Sequence, residues 1–250
     1  MSTRSLWVIP DAHATPQYDG DDVERFKALG EYLRWNTGRR DDVLCLGDFA
    51  DMPSLSSYDR GRRSFEGRRY QDDIEVARRA CKAAFSGLRV SRKLMLLGNH
   101  EARIDTATQA SPELEGKLSV KDLGYDAYFD RVVPYLGVAK VAGFAASHYF
   151  ASGVMGRPIG GVSPGNAMLH KLHCSAIAGH SHLLDLAVQT KPTGDKIYGI
   201  VAGCFVHPDY SESWCAATRG MWWSGILRIG LGRGDRVTTV EAIGSEEILG

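Results

Sequence analysis

The chain reads as an α/β protein: a mainly parallel sheet covered by helices, followed by a second, largely antiparallel sheet facing the first. Three observations predict this. Segments with strand and helix periodicity alternate through the first hundred residues, the pattern of βαβ units. From residue 139 onward, short apolar runs broken by Gly and Pro take over. Each apolar run of the first half ends abruptly in a polar cluster. Parallel strands deliver their carboxyl ends to a ligand crevice in that way.

Taken in order, residues 6–10 form a short buried strand that ends at Asp11. Residues 21–35 carry Val23, Phe26, Leu29 and Leu33 at helical spacing, with Asp21 and Asp22 near the positive end of the helix dipole. Residues 43–47 form the second strand, ending at Asp48. Residues 72–88 set Ile74, Ala77, Cys81, Ala84 and Leu88 on one helical face, and residues 93–98 form the third strand, ending at Asn99 and His100. The second sheet is expected from residues 139–147, 175–179, 184–190, 197–202, 225–229 and 236–242, with helices at 119–129 and 164–172.

A length of 250 residues at 27.4 kDa suits one domain spanning residues 1–250, with enough chain to bury a core unaided. Thirty Lys and Arg balance thirty Asp and Glu, so bulk charge neither favours nor excludes nucleic acid. Five cysteines and no CxxC argue against a disulfide framework or a cysteine zinc cluster, and Cys45 and Cys204 read as inert core thiols. No apolar window is long enough for a membrane span, and the first residues do not form a signal peptide, so a soluble, cytoplasmic protein is expected. The absence of GxSxG and of a P-loop removes support for serine hydrolase and P-loop ATPase readings.

The chemistry concentrates at the strand ends. In order they read Asp11-Ala12-His13, Gly47-Asp48, Gly98-Asn99-His100-Glu101, His148, and Gly179-His180-Ser181-His182. Mixed carboxylate, amide and imidazole donors suit Mn, Fe, Zn or Ni better than Ca or Mg. Each fragment alone is common; the ordered set is specific.

That ordered set resembles the calcineurin-like metallophosphoesterases, with GNHE at 98–101 and GHSH at 179–182 as its most specific parts. Residues 51–70, 147–159 and 201–205 are similar to phage and prophage members of that family. The resemblance implies a four-layer αββα sandwich of two facing mixed sheets, with two divalent metal ions, Mn foremost, between them. It implies that Asp11, His13 and His182 hold one ion, that Asn99, His148 and His180 hold the other, and that Asp48 bridges both. His100 would act as general acid in hydrolysis of a phosphate ester, with Glu101 orienting it. In many members a Gly or Glu follows the histidine matched by His148, whereas Tyr149 does here, which leaves His170 and His173 as competitors for its role.

Several residues bear on substrate and partners. Arg62, Arg63, Arg68 and Arg69 lie beside Phe65 and Tyr70, a mixture that suits phosphate and exposed bases, with a solvated loop or an oligomer contact the more common use. Arg103 could touch phosphate or lie in solvent. Asp51 closes a GDxxD pattern and could hold a ligand histidine or cap a turn. Trp214 and the run Met221-Trp222-Trp223 could stack on a base, with core packing the more common use, and His207 reads as structural. The leading expectation is a phosphodiesterase acting on a nucleotide or nucleic acid. The alternatives are a phosphomonoesterase, including a protein phosphatase, and a non-catalytic metal-binding scaffold. Met52-Pro53 stands where familiar protein phosphatases of this fold carry Arg-Gly after GDxxD, which lowers the phosphatase reading.

Overall fold

The computed structural model describes residues 4–58, 60–210, 215 and 217–250. In chain order its elements are β1 (Arg4–Ile9), α1 (Asp19–Asn36), β2 (Asp42–Cys45), α2 (Tyr70–Phe85), β3 (Arg92–Leu96), α3 (Arg103–Ala110) and β4 (Arg131–Val133). There follow β5 (Ala139–Val141), β6 (Phe144–Ala146), the hairpin β7 (Ala151–Ser152) and β8 (Arg157–Pro158), α4 (Pro164–Leu172) and β9 (Ala176–Ala178). The chain closes with β10 (Leu184–Thr190), β11 (Lys196–Ala202), β12 (Gly225–Leu231), β13 (Val237–Gly244) and α5 (Ser245–Leu249).

Among the described residues the strands make two large mixed sheets. The first runs β13-β12-β1-β2-β3-β4, and the second β10-β11-β9-β6-β5. The parallel part of the first sheet, β1 to β4, comes from the βαβ alternation. The strand period of two sorts its side chains between two cores. Trp7, Ile9, Val43, Cys45 and Met95 face Phe26, Leu29 and Leu33 of α1 and Ile74, Ala77 and Cys81 of α2. Leu6, Val8, Leu44, Leu46, Leu94 and Leu96 face the second sheet through Phe144, Ile177 and Ile200. Met168 and Leu172 of α4 cover the far side of that sheet over Ala176 and Val201.

Four expectations are corrected. β12 and β13 belong to the first sheet, not the second: β12 pairs antiparallel with β1 from Arg4↔Leu231 to Val8↔Leu227. Its alternating Leu227 and Ile229 are what the inter-sheet core needs at that edge. The second sheet is mixed rather than largely antiparallel, because β9 lies parallel to both β11 and β6. Residues 119–129 form two short 3₁₀ turns, Val120–Leu123 and Tyr125–Ala127, separated by Gly124 at φ 68°, a left-handed turn that stops a helix. The expected strand at 139–147 is likewise split in two, with Ala142 and Gly143 both at positive φ between β5 and β6. No helix among the described residues is long and apolar enough to cross a membrane.

Candidate metal centre

The carboxyl ends of β1, β2, β3, β6 and β9 converge, and the chain leaves each of them sharply. His13, Asp48, His180 and His182 all have positive φ, between 48° and 69°. Left-handed backbone at non-glycine residues costs of order 1–3 kcal/mol each and persists only where the surroundings enforce it. Here the enforcement is visible. The amides of Ala12 and His13 both donate to the carbonyl of Asp48 (3.0 and 2.9 Å), and the amide of Ala14 donates to that of Phe49 (2.7 Å), tying the first two loops together. Two glycines permit the closest approaches. A Cβ on Gly98 would sit 2.0 Å from Asp48 Oδ1, and one on Gly179 would sit 2.1 Å from Asp11 Oδ2.

The loops bring the expected residues into one cavity of about 310 Å³, lined by His13, Asp48, Asn99, His100, His180 and His182, with Tyr58 and Arg103 at its wall. Three groups at or just beneath its wall, buried except for half-buried His180, have donor atoms close enough together to hold a metal ion: Asp11, His13 and His182; His13, Asp48 and His100; and Asp48, His148 and His180. Asp48 Oδ1 accepts the His100 amide at 2.8 Å. Its Oδ2 stands between the other members, 3.3 Å from His148 Nε2, 3.8 Å from His100 Nε2 and 3.9 Å from His13 Nε2. Asn99 Oδ1 lies 2.9 Å from both His148 Nε2 and His180 Nδ1. His182 Nε2 is 3.5 Å from Asp11 Oδ1.

His148, rather than His170 or His173, joins the cluster. It is fully buried and turned by its Nδ1, which contacts the Leu46 carbonyl at 2.8 Å. His170 and His173 sit exposed at the end of α4.

The donor set fits a divalent cation. His13 presents its Nδ1 to Asp51 Oδ1 (3.1 Å) and to the Tyr210 hydroxyl (3.2 Å), while its Nε2 is buried with no hydrogen-bond partner and faces Asp48. An imidazole held on one nitrogen by a carboxylate, with the other aimed at carboxylates, is the usual arrangement of a metal-binding histidine. Buried polar nitrogens without partners are otherwise costly.

Charges in the cavity are strongly coupled. Burial alone would raise the Asp48 carboxyl, but His148, His100 and His13 hold it well below the usual carboxylate range. Burial would lower His148, yet Asp48 and Asp11 lift it to about 10. Burial and a histidine neighbour push His13 and His180 down to about 4. His100 is raised: burial opposes this, and Asp48 and Asp51 together outweigh it.

Two expected roles are redistributed. Glu101 does not face the His100 ring. Its carboxylate accepts the backbone amides of Asp48 (2.9 Å), Ala50 (2.9 Å) and Gly98 (2.8 Å) and the Tyr125 hydroxyl (3.1 Å), so it clamps the Asp48 loop to the Asn99 loop from beneath. Asp51 is the residue at His100: its Oδ1 and its carbonyl each lie 2.8 Å from His100 Nδ1. Asp51 also accepts from Tyr210 (3.3 Å), so of its two readings the histidine-holding one applies. The adjacent 3₁₀ turn Pro53–Leu55 has no side-chain cap.

The arginine segment is not brought to this cavity. Arg62, Arg63 and Arg69 are exposed; Arg68 is half-buried and donates to the Pro53 carbonyl at 3.2 Å. Arg68 and Arg69 line a neighbouring groove together with Glu66, Asp72 and Asp73. A groove of mixed sign is a poor seat for a polyanion. Tyr58, from the same stretch, does reach the cavity wall. Arg103 does so too, as the first residue of α3.

Trp222 packs edge-on against His182, with ring centroids 4.0 Å apart, and Arg219 lies over it. Trp214 lies outside the described residues. His207 stacks on Tyr18 and accepts the Asp209 amide, a structural use. Tyr210 was not singled out by the sequence; its only signal is a position shortly after a strand that ends toward the cavity.

No protein-family model matches the chain, and no curated protein matches it. Among solved structures it is similar to a protein of unknown function from Aquifex aeolicus, 18% identical, over 71% of this chain and 78% of that one, with a TM-score of 0.34. A likeness that weak transfers neither fold nor function.

Proposed function

We propose that the cavity is the active site of a metal-dependent phosphoesterase of the calcineurin-like kind, acting on a phosphodiester of nucleotide size. The observation that carries this reading is Asp48 Oδ2, which stands between His13 Nε2 (3.9 Å), a member of the Asp11–His13–His182 group, and His148 Nε2 (3.3 Å), a member of the group with His180. One carboxylate set between two clusters of neutral donors is what a pair of divalent ions requires. Asp11, His13 and His182 would hold one ion, Asn99, His148 and His180 the other, and Asp48 both. Such ions, when bound, clamp phosphate oxygens and make water a better nucleophile near neutral pH.

The chain's own groups do the rest. Asn99 contributes a neutral oxygen, which leaves the site positive enough to attract phosphate. His100 is held at Nδ1 by the carboxylate and the carbonyl of Asp51, both acceptors, which keep one proton on Nδ1; in the imidazolium the second proton sits on Nε2 and faces the cavity. That proton can pass to the oxygen of the departing group, and Asp51 stabilises the imidazolium beforehand. Glu101 keeps the Asp48 and Asn99 loops in register. The modest cavity and the mixed-sign groove beside it favour a nucleotide-sized substrate over an extended polymer.

The test is a screen of the Mn-loaded protein on bis-p-nitrophenyl phosphate, p-nitrophenyl phosphate, cyclic nucleotides, and single- and double-stranded DNA and RNA. Turnover of the diesters is expected to exceed that of the monoester. Absence of turnover on every compound, with metal bound, overturns the reading.

A further inference from the structure

Arg103 is held in the cavity in a way none of the roles above uses. Its Nη1 donates to two carbonyls, those of Asp51 at 2.8 Å and Met52 at 3.2 Å, which fixes the plane of the guanidinium. Its Nη2 lies 3.3 Å from His100 Nε2, the ring nitrogen that faces the cavity. The other two donors, Nε and Nη2, form the side-on edge of the fork, and no oxygen of the described residues meets that edge. No carboxylate of the described residues pairs with the guanidinium either, and the side chain is half-buried. Among the described residues it is the sole Lys or Arg on the cavity wall. A cation held rigidly, partly desolvated and met by carbonyl dipoles and one imidazole nitrogen, with no carboxylate, is a prepared anion site. The free edge has the spacing that takes two oxygens of one phosphate or carboxylate.

We infer that Arg103 forms the leaving-group subsite and that the preferred substrate is a phosphoanhydride, whose leaving group is itself a phosphate. The inference rests on the phosphoesterase reading and deepens it. His100 protonates the departing oxygen, so that oxygen must lie beside His100 Nε2 and therefore beside Arg103 Nη2. A protonated Nε2 and Nη2 are two donors side by side, and one shared oxyanion satisfies both. For the Nε donor to be used as well, a second acceptor oxygen must sit on the same atom as the departing one. A sugar hydroxyl leaving as alkoxide has no such neighbour; a phosphate does.

In the step, the hydroxyl of water bonds to the transferred phosphorus and one water proton goes to solvent. The bond from phosphorus to the bridging oxygen breaks, its electron pair leaving with the departing phosphate. That oxygen takes the His100 proton, and solvent restores it.

The experiment compares the full, Mn-loaded chain and Arg103→Gln on one anhydride and two diesters. These are a dinucleoside 5′,5′-diphosphate (anhydride), a 3′,5′-linked dinucleotide (alkyl leaving group) and bis-p-nitrophenyl phosphate. The variant is expected to lose roughly 10- to 100-fold more kcat/KM on the anhydride than on either ester, the scale of a charge-assisted bidentate contact. Arg103→Lys, which keeps charge but not the fork, is expected to recover only part of this. Equal losses on all three would place Arg103 at the transferred phosphoryl and overturn the subsite. A loss confined to the alkyl diester would make Arg103 a tuner of His100, and would also overturn it. A calorimetric comparison separates the two readings: a methylene-bridged nucleoside diphosphate should bind more tightly than the nucleoside monophosphate, and Arg103→Gln should abolish the difference. If no compound turns over but that difference stands, the phosphoesterase reading fails and takes the leaving-group role with it, leaving Arg103 as a phosphate-binding site only. If bis-p-nitrophenyl phosphate turns over but the difference is missing, the subsite alone fails.

Discussion

Residues 47–52 and residues 60–69 are neighbours in the chain, and both look suited to phosphate chemistry. They end up opposite in kind. In the first, Asp48, Asp51 and their backbone are buried and cross-tied to His100, His13 and Glu101. In the second, arginine side chains lie mostly exposed around a turn at Arg63–Phe65. Residue type did not separate them. Position did: the first leaves the end of a central strand and is locked between β1 and β3, whereas the second merely connects that loop to α2. A polar side chain becomes a site when tertiary neighbours remove its alternatives.

The sharpest way to break this comparison is Asp48→Ala. Metal and activity should be lost together, by well over the roughly 10–100-fold that removing an outer partner of a ligand costs, as read by metal analysis and kcat. Retention of metal by that variant would remove Asp48 from the centre.

His100→Ala should keep metal and lose roughly 10²–10⁴-fold in kcat on alkyl diesters, with a smaller loss on nitrophenyl esters, whose leaving oxygen needs little protonation. Asp51→Asn should show the same leaving-group dependence in weaker form. Glu101→Gln should behave otherwise. It would leave a backbone amide facing an amide hydrogen, so unfolding in urea should show a loss of about 1–3 kcal/mol with no leaving-group dependence. If Glu101→Gln reproduced the His100→Ala pattern, Glu101 would be the orienting residue after all.

The pH dependence of metal uptake follows from His148. Its metal-free pKa of about 10 means it carries a proton at neutral pH, and a metal-bound imidazole cannot. Uptake must therefore expel that proton. Affinity should rise with pH up to the His148 pKa, by as much as about tenfold per unit, with proton release measurable by calorimetry in buffers of different ionisation enthalpy. His13 and His180, at about 4, are already neutral and should release none. Uptake independent of pH through the neutral range would contradict this balance.

The smallest effect is expected where the comparison predicts silence. Replacing the exposed Arg62, Arg63 and Arg69 with Gln should change stability by no more than about 0.5 kcal/mol each and turnover on small diesters by less than about twofold. A large fall on DNA or RNA alone would return the segment to substrate binding.

Much of the centre was legible in one dimension, because strand ends are local events. An apolar run of strand length that stops at Asp11, Asp48 or Asn99 announces where its polar residue will stand, and convergence of parallel strands does the gathering. The helical stripes of α1 and α2 were legible for the same reason, since period and burial go together. What only the tertiary structure decided was partnership. Glu101 and Asp51 are each a carboxylate close to His100 in sequence or pattern. Which one meets the ring depends on loops bent into left-handed backbone by bonds to other strands. The return of β12 to β1, 219 residues or more distant at every paired position, was equally invisible. Periodicity determines which face of a strand is buried; it carries no information about which strand, far along the chain, lies next to it.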